Sequence, residues 1–388
     1  KNKEKKPFDM SKYAQRQVAL KVAYIGWNYM GLASQDNPKQ KIVATVEDYI
    51  YKALLSCKLI LDPKDCNFSR CGRTDKGVSG LKQVISIKLR SGVSKETLEK
   101  DPFEVEGELP YTDMINKSLP EDIRVLAWAP VKEDFNARFD CRSRSYKYFF
   151  TTSGTNLNID LMRKACTYLV GTHDFRNFCR QDGSKQISVF IRDIFEAKIQ
   201  KADLWFPENN KEMSSPFCYE LYIKGSGFLW NQIRCIMSIL FLIGQGLEKP
   251  EVITEFLNAE KLNQKPVYEL SAPYPLLFFD CDYETEIKWQ LDTKNEISAM
   301  ARSYRTIYTK WYECVTKAYH FSNVIKELEK LAPEGLESFA KVDPSLTPIV
   351  IGAGQRSSTR NYIHLLQRNR ASSVEVRNQR YRDKVLRK

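Results

Sequence analysis

The stretch QVALKVAYIG, Gln17 to Gly26, sets Val18, Leu20, Val22 and Tyr24 on one face and so predicts a half-buried strand. Thr45 followed three residues later by Asp48 is a helix-start signal, and Val46, Tyr49, Ile50, Ala53 and Leu54 form the apolar stripe of the helix it opens. Further strands are predicted at Gln83–Leu89 and Ile123–Trp128. The second half repeats the rhythm: a strand at Ser143–Thr152, a helix at Leu157–Val170, strands at Ile187–Gln200 and Phe217–Lys224, and a helix at Trp230–Ile243. Lys95–Pro110 is acidic without a clear period and predicts an exposed insertion. Beyond Tyr283, Ile297–Leu331 has a helical pattern, Pro333–Gly354 is loop-like, and the Arg-rich end shows little periodicity and is not expected to order on its own.

Strand, helix, then strands, twice over, predicts an α+β fold: two ferredoxin-like (RRM-like) lobes sharing a central, mainly antiparallel sheet, plus a helical C-terminal extension. No sequence repeat accompanies the duplication. The expected divisions are a basic arm at 1–16, a first lobe at 17–142, a second at 143–290, and a helical extension with a basic tail at 291–388.

A chain of 388 residues with 43% hydrophobic content can bury a sizeable core. No run of eighteen apolar residues occurs, and the basic start KNKEKK leads into no apolar signal core, so a soluble, intracellular protein is expected. Ten cysteines form no C-x-x-C pair and read as reduced core residues, with zinc not expected. With three histidines, chemistry must lean on carboxylate, arginine and tyrosine. The net charge of +12 sits at the ends: +4 in residues 1–16, +8 in 356–388, and zero between. Both ends read as arms that neutralise phosphates. The tail lacks the aliphatic face of a membrane-surface helix, which favours nucleic acid as the partner.

SRCGRTDKGVSG, Ser69 to Gly80, concentrates charge and glycine between two apolar stretches. A surface turn would account for it alone. Gly72 and Gly77 also let the backbone turn tightly against a bulky ligand around Asp75. FNARFDCRSRSYKYFF sets Arg138, Arg142 and Arg144 ahead of a strand whose Tyr146, Tyr148 and Phe150 share a face. For Tyr148 and Phe150 a core role suffices, yet interleaved basic and aromatic residues also suit base stacking and phosphate contact. GFLWNQIRCIMSILFLIGQG reads as a buried helix with Arg234 in its first turns. Either Arg234 snorkels to solvent, or it needs a carboxylate, for which Asp75 is the candidate.

CGRTDKGVS, FNARFDCRSRSYKY, FLWNQIRCIMSILFLIGQG and YPLLFFDCDY, in that order, resemble the motifs of the TruA-type tRNA pseudouridine synthases from about Val18 to Tyr283. GVS, the pair Ser34 and Gln35, GTHDFRNFCRQD at Gly171–Asp182 and LFLIGQGLEKPE at Leu240–Glu251 are most similar to the eukaryotic enzyme for tRNA positions 38 and 39. The resemblance implies uridine isomerisation in the anticodon arm without a cofactor or metal. It makes Asp75 the catalytic carboxylate, Tyr146 the residue packing on uracil, and Arg234 the partner of Asp75. Arg73 would fill the space of the flipped base, and Leu276 would close over the ring. Lys76, Arg138, Arg142 and Arg144 read as phosphate contacts. The family implies a homodimer with tRNA as partner. RNQRYRDKVLRK reads as a nuclear address or an RNA arm, giving an expected nuclear and cytoplasmic location. The rivals are a non-catalytic RNA-binding protein of RRM-like lobes and a family synthase acting at other tRNA positions.

Overall fold

The computed structural model describes residues 8–34, 44–152, 156–206, 211–291, 294–331 and 346–387. Gln35, the KNKEKK start and most of the predicted loop at 333–354 lie outside them. The chain divides into two compact units, Lys1–Arg142 with Phe278–Ile325, and Ser143–Leu277 with Lys326–Lys388.

The first unit contains β1 (Gln15–Tyr24), α1 (Val46–Ser56), β2 (Ser69–Arg70), β3 (Ser79–Arg90), α2 (Lys95–Lys100), α3 (Tyr111–Asn116) and β4 (Ile123–Pro130). β1 lies between β3 and β4, antiparallel to both, with Val18 opposite Ile87 and Leu20 opposite Trp128. Val18, Leu20, Val22 and Tyr24 share one buried cluster with Val46, Ile50, Ala53 and Leu54 of α1. The start of α1 is a reciprocal cap: Asp48 N–H donates to Thr45 Oγ1 at 3.3 Å, and Thr45 N–H donates to Asp48 Oδ2 at 2.8 Å.

The insertion at Lys95–Pro110 is exposed or half-buried along its whole length, as expected, and it is anchored at one point. Its Glu108 meets the Arg16 guanidinium at 3.1 Å with both side chains almost fully buried, and Glu108 also accepts from Ser91 and Gly92. Arg16 donates further to the Pro102 and Glu104 carbonyls. A segment that is mostly solvated and held through one buried ion pair has no apolar period to display.

The second unit holds β5 (Cys141–Thr151, entered from the first unit), α4 (Ile159–Thr167), β6 (Gly171–Asp174), β7 (Ile191–Phe206), β8 (Lys211–Gly225), α5 (Gln232–Gly244) and α6 (Val252–Leu257). Its strands run β5–β8–β7–β6, each pair antiparallel. Every residue of α5 but Arg234 is buried, as its nearly all-apolar sequence requires. In chain order β9 (Leu276–Tyr283) and α7 (Lys294–Leu331) come next and belong mostly to the first unit, and β10 (Thr347–Gly352), β11 (Gln355–Thr359) and α8 (Val374–Leu386) belong to the second. The architecture is thus α+β, with antiparallel sheet in each unit.

The C-terminal segment is more ordered than its composition suggests. β10 and β11 pair as a hairpin, Leu365 is fully buried, and its N–H and the Tyr362 hydroxyl both donate to Glu248. A few apolar anchors and one buried carboxylate hold it, too sparse to register as a period. None of the ten cysteines forms a disulfide. Burial pushes the Cys66 thiol up to about 11 and those of Cys166 and Cys179 to about 12, which keeps them inert. Among the described residues no helix is long and apolar enough to cross a membrane.

Candidate active site

In the first unit, Cys71–Val78 joins β2 to β3 and carries Arg73, Asp75 and Lys76. The loop is held from beneath. Cys71 N–H donates to the Val84 carbonyl at 2.9 Å. The fully buried Gln83 amide accepts from Gly72 N–H at 3.3 Å and donates to the Gly72 carbonyl at 2.8 Å. Thr74 points inward, its hydroxyl 2.8 Å from that of buried Tyr24, and its carbonyl accepts from Leu32 N–H at 3.1 Å. Asp75 closes the turn through its carbonyl, to which Val78 N–H donates at 3.1 Å. Gly77, at φ +80°, supplies a left-handed conformation that only glycine adopts cheaply.

With Thr74 as the inward anchor, Arg73 and Lys76 are exposed and Asp75 is half-buried between them. A carboxylate on a rigid turn between two solvated cations is placed to meet a substrate that carries negative charge elsewhere. Sequence reading named these residues but missed their supports. In the sequence Gln83 and Tyr24 carry only the signal of strand positions.

Gly26 shows how tightly the loop is seated. A Cβ there would lie 1.9 Å from the Val78 carbonyl oxygen, and Gly26 N–H already donates to Ser79 Oγ at 3.0 Å. Gly26→Ala is therefore expected to displace the end of the loop, lowering stability by at least about 2 kcal/mol in chemical denaturation.

A second support was also missed. Glu47, on the inner face of α1, has a fully buried side chain and pairs with Arg70, the residue just before the loop. Ser34 N–H donates to Glu47 Oε2 at 2.8 Å. The signal was available: Glu47 lies three and seven residues ahead of Ile50 and Leu54, on their face of the helix.

Of the cations beside β5, Arg138 is exposed, with its guanidinium 5.3 Å from the exposed ring of Phe139. Arg142 pairs with Glu284 with both side chains mostly exposed. A pair this exposed is worth little, so a phosphate can compete for Arg142. Cys71 and Cys141 meet beneath this region with sulfurs 3.4 Å apart.

In the second unit, β5 sets Tyr146 half-buried with its ring 5.2 Å, edge-on, from Phe228, while Tyr148 and Phe150 fill the core. Lys147 projects oppositely and pairs with buried Glu220 at 3.0 Å. Arg144 donates to the Ser226 carbonyl at 2.8 Å, so it is positioned by the backbone rather than freely solvated.

Arg234 is partly buried on α5, and its Nε donates to the Ser271 carbonyl at 2.7 Å. The Arg234 carbonyl accepts from both Ser238 and Ser271 hydroxyls, which fixes the helix against that segment. Burial pushes the Tyr148 hydroxyl up to about 12, against the opposing pull of Ser271 and the Arg234 charge. Leu276 opens β9 and is buried, whereas Leu277 is half-buried.

These motifs can be set beside known proteins. The tRNA pseudouridine synthase family matches residues 165–284. The chain is 41% identical over 389 residues to "tRNA pseudouridine(38/39) synthase" of Saccharomyces cerevisiae, covering 98% of this chain and 81% of that protein. The chain belongs to the TruA-type tRNA pseudouridine synthase family. The Bos taurus protein of the same name is 38% identical, over 98% of this chain and 79% of its own length. "tRNA pseudouridine synthase A" of Methanosarcina barkeri is 34% identical over 70% of this chain and 87% of its own. As a tRNA pseudouridine synthase the protein is an isomerase, which sets aside the non-catalytic RNA-binding alternative. The archaeal match spans less of the chain than the eukaryotic ones, so part of this synthase lies outside what the two branches share.

Proposed function

We propose that this synthase isomerises uridine to pseudouridine at positions 38 and 39 of the tRNA anticodon arm. The observation that carries the reading is the 36–41% identity, over 98% of this chain, to relatives named for those positions. The braced Asp75 turn supports it as a rigid platform for a reacting carboxylate.

The reaction breaks the N1 glycosidic bond, turns the base and joins C5 to C1′. The proton on C5 leaves and N1 regains one, so no atoms or electrons are gained or lost. Flipping the uridine costs a few kcal/mol, which groups filling its space can offset. We assign Arg73 to that space, Asp75 to the essential carboxylate, Arg234 to the guanidinium that keeps it ionised, and Tyr146 to the uracil face and the C5 proton. Leu276 covers the ring. Lys76, Arg138, Arg142 and Arg144 hold phosphates.

On this reading each of the two units is a ferredoxin-like lobe, the active form is a homodimer with tRNA across both subunits, and the enzyme works in nucleus and cytoplasm.

Incubating the protein with an unmodified tRNA transcript and mapping carbodiimide-blocked reverse transcription tests the assignment. Stops at uridines 38 and 39 are expected. Stops only at other positions would overturn the position assignment, and no stop at all would overturn the activity on that tRNA.

A further inference from the structure

In the second unit, α8 packs on the turn that ends the motif Gly171–Asp182. Gln186 donates to the Asn378 carbonyl at 3.2 Å, and Asn378 returns a bond to the Ile187 carbonyl at 3.2 Å. Gly183 makes this approach possible, since a Cβ there would lie 2.7 Å from the Arg377 carbonyl oxygen. An open groove results, lined by Arg180, Gln181, Trp230, Ser372, Arg377 and Arg380.

We infer that this groove and the adjoining face of α8 form an RNA-backbone site that grips the tRNA substrate away from the reacting uridine. The inference rests on the tRNA reading above.

Three observations carry it. Arg180 is exposed, lies 4.9 Å over the Trp230 ring, and its guanidinium has no hydrogen-bond partner among the described residues. A guanidinium held over an indole by this cation–π contact leaves its N–H donors available to a ligand, and guanidinium donors take a phosphate through two parallel bonds.

Arg377 and Arg380 line the groove from α8 and are anchored there. Arg377 donates to the Ser372 carbonyl at 3.0 Å and the Gln181 carbonyl at 3.3 Å, and Arg380 to Ser372 Oγ at 3.2 Å. Each keeps further donors for a ligand.

The groove also continues. Arg380 is shared with a second open pocket lined by Asp383, Lys384 and Arg387. Arg377, Arg380, Lys384 and Arg387 fall three, four and three residues apart, a row of cations on one helix face about 15 Å long. A linear row of cations, half-buried at Arg377 and exposed at Arg380, Lys384 and Arg387, with an exposed tryptophan at one end fits a nucleic-acid strand better than a single anion. Two carboxylates share the lining, Asp182 in the groove and Asp383 in the second pocket, accepting from Ser184 N–H at 2.9 Å and from Gln379 at 2.7 Å, and the five cations Arg180, Arg377, Arg380, Lys384 and Arg387 outweigh their charge.

The test is binding of an unmodified tRNA transcript by the full chain across a salt series. Arg180→Gln with Arg380→Gln, both at exposed positions, should raise Kd about tenfold and lower the slope of log K against log salt by about 2. Gly183→Val, which pushes α8 off the turn, should weaken binding similarly. A double variant with parental Kd and slope would overturn the inference. So would a double variant that loses affinity for poly-glutamate while keeping it for tRNA, which would assign the groove to an acidic protein. Pseudouridine at 38 and 39 is scored on the parent in parallel: a parent that binds tRNA through this groove yet leaves those positions unmodified overturns the position reading alone.

Discussion

Asp75→Ala is expected to lower pseudouridine formation by at least about a thousandfold while tRNA affinity changes by less than about threefold. The two readouts separate because different groups govern them. Affinity comes from cations meeting phosphates, and Asp75 is the one negative group between exposed Arg73 and Lys76, so its loss takes no attraction away. On the proposed assignment the rate depends on a carboxylate held in place by Thr74, Gln83 and Gly72, whose bonds do not use the Asp75 side chain. Asp75→Asn sharpens the test, because it keeps the shape and removes the charge. Release of tritium from tRNA carrying 5-³H-uridine measures loss of the C5 proton, and filter binding gives Kd. An Asn variant that releases tritium at the parental rate would show that the carboxylate is not the reacting group.

What the sequence disclosed follows from which forces leave a local period. The strand at Val18–Tyr24 and the helix from Thr45 were readable because their apolar positions repeat at two and at three to four residues, and because a capping box is a local signal. The motif around Asp75 was legible by resemblance and by its density of charge and glycine. The supports beneath it were not. Gln83 holds Gly72 across a strand turn, and Arg16 holds Glu108 from 92 residues away. Polar contacts between distant segments produce no pattern in either one. The groove at Arg180 escaped for the same reason, since Gln181 and Arg377 lie 196 positions apart. Charge counting marked the tail as a phosphate-binding arm, but only the anchors at Leu365 and Val374 show which surface that charge decorates.

Arg70→Leu is expected to cost about 3–5 kcal/mol of stability at pH 8 and distinctly less at pH 5.5. The reason lies in Glu47. Burial raises its carboxyl from the ordinary glutamate value of 4.5 to about 7, even though Arg70 beside it and the Ser34 N–H favour the charge. A folded-state value above the unfolded one means that the native protein binds more of this proton between those two pH values. Stability from this group is therefore complete below about 4.5 and is lost as pH rises through about 7, a swing of about 3 kcal/mol. Glu47→Gln keeps the shape of the protonated acid and removes the titration, so the stability difference between parent and Glu47→Gln should fall with pH across that window. Removing Arg70 takes away the charge that partly offsets burial, so Glu47 should take up a proton at still higher pH. Acid then relieves the defect and base exposes it. Urea denaturation at pH 5.5, 7 and 8.5 reads all three proteins, and a parent curve parallel to that of Glu47→Gln would show that Glu47 stays ionised throughout. Because Arg70 is joined through Cys71 and Gly72 to the turn that carries Asp75, the same pH dependence should appear in the rate of Arg70→Leu, with the largest deficit against the parent on the alkaline side.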